Sequence, residues 1–224
     1  KFCKNRGPDK TTNIFTNGYN FIHNLLHITG KITEQPIINN NCIAIFNGEI
    51  VVPLATGFID QAGATNGGTT QALGVLTGVL YHDSVQKKPV WINYWPGSNG
   101  VSVDTNHPVR AYVADNPNQL FQIASDASTT DRATAQGLVF ANTDLGTSAR
   151  TGSTDTGASN SQMSVANAAV TATLPLRIVG IVDDIANSDY TAAGIPFIVR
   201  LNAHFNAGTR SFDSQTTADS TGLN

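Results

Sequence analysis

Residues 72–123 constrain the fold more than any other stretch. They open with Ala72-Leu73-Gly74-Val75-Leu76-Thr77-Gly78-Val79-Leu80-Tyr81, break over residues 82–88 and resume as Pro89-Val90-Trp91-Ile92-Asn93-Tyr94-Trp95-Pro96-Gly97. After a polar connection come Val109-Arg110-Ala111-Tyr112-Val113-Ala114-Asp115-Asn116-Pro117 and Leu120-Phe121-Gln122-Ile123. Four short segments rich in β-branched and aromatic residues, each bounded by Gly, Pro, Asn or Asp, are the signature of consecutive antiparallel strands. Within residues 73–81 both alternate sets, Leu73/Val75/Thr77/Val79/Tyr81 and Gly74/Leu76/Gly78/Leu80, are apolar or bare backbone. Such a strand packs on two faces, and its glycines admit a close neighbour. Trp91 and Trp95, the two tryptophans, both lie in this stretch, which is therefore placed at the centre of the core.

The rest of the composition agrees with strands and loops. A chain of 224 residues buries roughly 70% of its unfolded surface and needs neither a disulfide nor a metal to fold. Charged residues make up 13% of it, about half the usual quarter, so Ser, Thr, Asn, Gln, Gly and Ala cover much of the surface. Glu34 and Glu49 are the only glutamates, which disfavours amphipathic helices with their Glu/Lys outer faces. The expected fold class is all-β, an antiparallel β-barrel or sandwich-like body. A net charge of −3 gives no signal for specific nucleic acid, and no run of 18 apolar residues offers a membrane span. The polar, basic first residues lack the apolar region of a secretory signal. Cys3 and Cys42 match neither a disulfide framework nor a metal motif, leaving one bridge or two free thiols.

Three regions follow from the pattern. Residues 1–40 read as an arm, with Gly7-Pro8 and Asn17-Gly18 as turn signals. Inside it, Phe21, Ile22, Leu25, Leu26 and Ile28 fit either one short helix ended by Gly30 or two strands. Residues 41–206 form the body. There Cys42-Ile43-Ala44-Ile45-Phe46 and Glu49-Ile50-Val51-Val52-Pro53-Leu54 flank Asn47-Gly48, the strongest short hairpin signal. Residues 125–172 are dominated by Ser, Thr, Asp, Asn, Gly and Ala and are expected to be a long polar loop lying over a surface or a partner. Two strands close the body, at residues 174–182 and 195–205; in the second, Ile195, Phe197, Val199, Leu201 and Ala203 face one way and Arg200, Asn202 and His204 the other. Residues 207–224 are a polar tail.

Little of this looks catalytic. His23 and His27 have the i, i+4 spacing of two metal ligands on a helix, but Asn24 replaces the glutamate of His-Glu-x-x-His. His82-Asp83 sits at a turn and His107-Pro108 before a strand, and each reads as solvated. Asp183, Asp184 and Asp189 lack the spacing of a Ca²⁺ loop and read as turn formers. No nucleophile elbow, phosphate loop, dinucleotide fingerprint or zinc pattern occurs, so no catalytic residue, cofactor or metal is expected. Tyr94-Trp95 is either a ligand-stacking surface or part of the core or a subunit interface. Lys4, Arg6 and Lys10 in the basic start either touch an acidic surface or are solvated. The candidate interface residues are thus Lys4, Arg6, Lys10, Tyr94 and Trp95.

Gly74-Val75-Leu76-Thr77-Gly78-Val79-Leu80-Tyr81, then Asn93-Tyr94-Trp95-Pro96-Gly97, Ala111-Tyr112-Val113-Ala114-Asp115-Asn116-Pro117 and Leu120-Phe121-Gln122-Ile123 together resemble a group of virion structural proteins of tailed bacteriophages, common in marine phages. Ala172-Thr173-Leu174-Pro175-Leu176-Arg177-Ile178-Val179-Gly180 and Val199-Arg200-Leu201-Asn202-Ala203-His204 are similar to the same group. The resemblance covers residues 42–205 and departs over the first 40. It implies a capsid decoration or cement protein with a β-barrel-like body, on the outer surface of the head. Its partners are then the major capsid protein and itself, as a trimer or dimer, without membrane or specific nucleic acid. In that role the arm and residues 125–172 order on binding and wrap neighbouring subunits. A tail or receptor-binding component would instead show a fibre repeat or a carbohydrate platform, and a hydrolase a deep pocket holding His82 or His107.

Overall fold

The computed structural model describes residues 26–27, 32–37, 43–54, 56–62, 71–97, 100–146 and 151–207. The protein is all-β. Its strands are β1 (Leu26–His27), β2 (Ile32–Ile37), β3 (Ile50–Pro53), β4 (Ile59–Gln61), β5 (Gly74–Asp83), β6 (Lys88–Ile92), β7 (Val109–Ala114), β8 (Leu120–Ala124), β9 (Asn142–Thr143), β10 (Leu176–Ile181) and β11 (Pro196–Leu201). Among the described residues the one α-helix is α1 (Arg132–Gly137), capped by the Asp131 carboxylate accepting from the Thr134 N–H at 2.7 Å.

The first sheet runs β3-β4-β2-β7-β5-β6 and closes on itself, because Ile50 and Val51 of β3 also pair with Val75 and Gly74 of β5. The result is a small five-stranded barrel with β6 flanking β5. Every contact in it is antiparallel except the single β2–β4 pair at Ile37↔Ile59. Alternate side chains of a strand point to opposite faces, so one set fills the barrel. Ile37, Val51, Ile59, Leu76, Val79 and Val113 belong to that interior cluster, and Trp95 joins it. The other set faces outward. At one end of the wall Ile50, Val52, Val75 and Ala114 meet a second sheet, ordered β1-β8-β11-β10-β9, whose Phe121, Ile123, Ile178, Phe197 and Val199 complete a second core. The start of β5 thus packs on both faces, as its sequence suggests. Its register with β7 shifts between Leu76 and Gly78, a bulge at Thr77 whose hydroxyl donates to the Tyr112 carbonyl at 2.9 Å.

Several expectations are corrected here. Leu120–Ala124 does not continue the sheet of β5–β7: the turn in which the Asn116 side chain accepts from the Asn118 N–H carries it into the second sheet, between β1 and β11. Asn47-Gly48 makes a turn but no hairpin. Glu49 N–H donates to the Phe46 carbonyl at 3.1 Å, and of the two central residues only Gly48 takes a positive φ (88°), as in a type II turn. A hairpin of this length needs the opposite twist, with both φ values positive in the Asn-Gly form. The flanks part accordingly: Ile45 bridges Trp95, and Ile50 pairs with Val75. The arm is shorter than residues 1–40, since β2 pairs along its whole length with β7 and is a barrel stave. Leu26–His27 is strand, which settles that position against the helix.

Residues 125–172 are the largest departure from expectation. Far from a loose loop, this segment carries α1 and β9 and lays Ala135, Val139, Leu145 and Met163 into the second core. Its polar side chains supplement scattered backbone bridges in place of a regular ladder. The Asp126 carboxylate accepts from the Val165 N–H at 2.9 Å, the Asp126 N–H donates to the Met163 carbonyl at 2.9 Å, and the Thr143 hydroxyl donates to the Ser164 carbonyl. Short Ser, Thr, Asp and Asn side chains satisfy irregular backbone of this kind, so the composition that suggests disorder also suits a packed, non-repetitive layer.

Two predictions concern stability. Trp95 is fully buried while Trp91 is 53% exposed, so Trp95→Ala is expected to cost about 3–5 kcal/mol in urea unfolding and Trp91→Ala a small fraction of that. Equal losses would overturn the placement of the two indoles. His204 is buried, and burial pushes its imidazole below the ordinary 6.5 against a smaller upward pull from Asp115. The unfolded chain therefore takes up the proton more readily. Its contribution to stability is complete above the unfolded pKa and is lost as pH falls through the lower folded value. Lowering the pH from about 7 to about 5 should destabilise the wild type more than His204→Gln, measured by thermal unfolding.

Candidate functional site

The outward face of the barrel wall is covered by the second sheet only at the end that carries Val75 and Ala114. Beyond the bulge the same face carries Trp91, Arg110 and Glu34, each about half exposed. Pairing registers fix its lattice: Trp91, Leu80 and Arg110 lie in one row with Pro36, and Gly78, Tyr112 and Glu34 in the next. Four neighbouring strands, β6, β5, β7 and β2, thus contribute to one surface.

Glycine at position 78 makes the centre of this surface possible. A Cβ there would lie 2.3 Å from Trp91 Cζ2 and 2.5 Å from Cη2, so the indole rests directly on the backbone of β5. The Tyr112 ring meets it edge to face, with centroids 4.7 Å apart and planes at 72°. The Tyr112 hydroxyl donates to Glu34 Oε1 at 3.0 Å, and Arg110 Nη1 donates to Glu34 Oε2 at 3.2 Å. Giving up that hydrogen bond to a carboxylate, with further help from desolvation, holds the Tyr112 phenol above its ordinary value. The tyrosine therefore stays a neutral donor across the physiological range. The ion pair is exposed and adds at most about 1 kcal/mol to stability. What it does is fix a cation, a carboxylate and a hydroxyl beside a half-exposed indole.

Two residues further along β5, His82 stacks on His107 with centroids 4.3 Å apart. His107 Nδ1 also lies 3.4 Å from Asp104 Oδ2, whose carboxyl is held below its ordinary value mainly by the Asn106 N–H. The two histidines, separate in the sequence reading, come together at the edge of the platform, His82 half-buried and His107 exposed. Among the described residues no group of three or more His, Cys, Asp or Glu is arranged to hold a metal ion. Asp183 pairs with Arg132 at 3.0 Å, Asp184 caps a single 3-10 turn (Ile185–Asn187) and Asp189 bonds Thr191, so each has a turn or ion-pair role.

The expected interface residues fare unevenly. Trp95 is corrected: with no exposed surface, its backbone paired to Ile45 and its ring edge to face with Tyr81, it cannot reach a partner. Tyr94 is half-buried and stacks on Phe46 at 5.4 Å, on a different part of the surface from Trp91. Lys4, Arg6 and Lys10 lie outside the described residues, as do Cys3, Cys42 and His23. The sequence reading missed Trp91, Tyr112, Glu34 and Arg110 as a set. The available signal was the period of two, which puts Gly78 and Leu80 on one face, but without the register nothing links Trp91 to Gly78.

A second exposed feature lies at the far edge of the other sheet. Phe140 has a φ of 74° and is 56% exposed, with its N–H donating to the Ile178 carbonyl at 2.9 Å. Left-handed backbone at a bulky residue costs about 1–3 kcal/mol and is kept where the surroundings impose it. Val179 follows Ile178, whose carbonyl accepts the Phe140 N–H, and is also exposed, so Phe140 and Val179 put two apolar residues at this edge. No family model, curated protein or solved structure matches the chain.

Replacing Gly78 by Val should unseat Trp91. Acrylamide quenching of tryptophan emission is expected to rise, with buried Trp95 as the unquenched background, at a stability change of about 1 kcal/mol. Quenching identical to wild type would show that the indole does not rest on residue 78.

Proposed function

We propose that the protein is a virion structural protein of a tailed bacteriophage, a decoration or cement protein on the outer surface of the head. The observation that carries this reading is the exposed pair Phe140 and Val179 at the edge of the second sheet, the first of them on strained backbone. Exposed apolar side chains on a protein otherwise poor in charge suit burial against another protein. The partner is the major capsid protein, with self-association about a local axis of the shell. The resemblance of residues 42–205 supports the same reading, because its segments form β5, β7, β8, β10 and β11, the frame on which that edge is carried. A cement role also suits a body whose longest polar segment is already packed, since less ordering entropy then opposes binding.

A second reading, a tail or receptor-binding component, draws on the Trp91 platform, which is the kind of flat aromatic surface such a protein uses. The two separate by location and by mutation. Reconstruction of virions should find the protein on the head exterior, and Phe140→Ser combined with Val179→Asp should lower its occupancy on heads about tenfold or more. Density at the tail tip would overturn the cement reading, and unchanged occupancy would remove the Phe140 edge from the contact.

A further inference from the structure

We infer that the platform around Trp91 is a binding site for a neutral carbohydrate chain. The platform offers one indole, held rigid between the Gly78 backbone and the Tyr112 ring, with 53% of the residue in solvent. Around it stand a carboxylate with two oxygens, a guanidinium with most of its donors uncommitted and a phenol: Glu34, Arg110 and Tyr112. A pyranose ring has the matching chemistry, an apolar C–H face to lie on an aromatic ring and a rim of hydroxyls that both donate and accept. Adjacent hydroxyls suit a carboxylate and a guanidinium fixed side by side, because charge-assisted hydrogen bonds are the strong ones.

Competing occupants fit less well. A protein partner needs roughly 800 Å² per side with charged residues depleted from the centre, whereas here an ion pair sits beside the exposed indole. A phosphate or sulfated polymer meets Glu34 beside Arg110, with Asp104 beyond, so its charge finds no net positive potential in this group of residues. The site has polar groups in both signs and no surplus of either. An uncharged polyol is the ligand class that uses both. His82 and His107, stacked two residues along β5 on the same face, extend the surface so that successive sugar units of a chain find a second ring to pack on.

The test uses the purified full chain and does not depend on where the protein sits in a virion. Affinity electrophoresis and calorimetry against cello-, xylo-, laminari-, malto- and chito-oligosaccharides, with heparin and carrageenan as charged controls, should find at least one neutral ligand. Binding should fall about tenfold or more in Trp91→Ala, recover in part in Trp91→Tyr and weaken in Glu34→Gln, while thermal unfolding confirms that each variant is folded. Three results would overturn the proposal: no neutral oligosaccharide bound, binding unchanged in Trp91→Ala, or retention by the sulfated polymers alone. A sedimentation coefficient that drops in Trp91→Ala with no sugar bound would make the platform a contact between copies instead.

Discussion

The structure depends on one strand that is buried from both sides. β5 lines the barrel with Leu76, Val79 and Tyr81, and at its start it turns Val75 outward into the core shared with the second sheet. Over its first residues, Gly74 to Leu76, the strand has no solvent face on which to place polar residues, which is why that part is apolar or glycine throughout. The bulge at Thr77 changes the register with β7 and increases the local twist, and past it the outward face leaves the second sheet behind. The same strand thus divides the molecule into a sealed half and an open half. The platform lies where the wall continues but its cover stops.

The second organising feature is the way a poorly charged, polar segment is made to pack. Residues 125–172 have too few apolar side chains for a regular layer, yet Met163, the only methionine of the chain, lies fully buried between backbone bridges to Ser125 and Leu145. Around it the Met163 N–H donates to the Ala124 carbonyl of β8, and the side chains of Asp126 and Thr143 satisfy the Val165 N–H and the Ser164 carbonyl where no strand partner does. Buried amides and carbonyls left unmatched cost about 1–3 kcal/mol each, so the abundance of short polar side chains is what lets an irregular chain lie against a core. The low charge content of the protein has the same origin. Asp, Asn, Ser and Thr are spent on local backbone contacts, and the two glutamates occupy special places: Glu34 in the platform and Glu49 buried where its Oε2 accepts from the Phe46 N–H and the Gln61 amide.

Legibility varied with how local the governing interaction is. The strand character of β5, β7, β10 and β11 and the two-sided burial at the start of β5 follow from neighbours in sequence, and each is readable there. The Asn47-Gly48 turn is readable too, but its consequence is not. Whether a turn closes a hairpin depends on which strands compete for its flanks, and here Trp95 and Val75 win them. The two tryptophans make the same point. Trp91 and Trp95 are four residues apart in similar surroundings, yet β6 ends between them at Ile92, and one ring lies on the outside of the wall while the other enters the barrel.

By itself the sequence determined an all-β chain with an interior strand at residues 74–81 and two closing strands near the end. It could do so because hydrophobic alternation and turn chemistry are properties of a few adjacent residues. Only the tertiary structure decided that the first sheet closes into a barrel, that residues 125–172 are a packed layer, and that Glu34, Gly78, Trp91, Arg110 and Tyr112 share one surface. Those residues are brought together by pairing register across four strands, and register is set by the sum of long-range contacts that no local window of sequence contains.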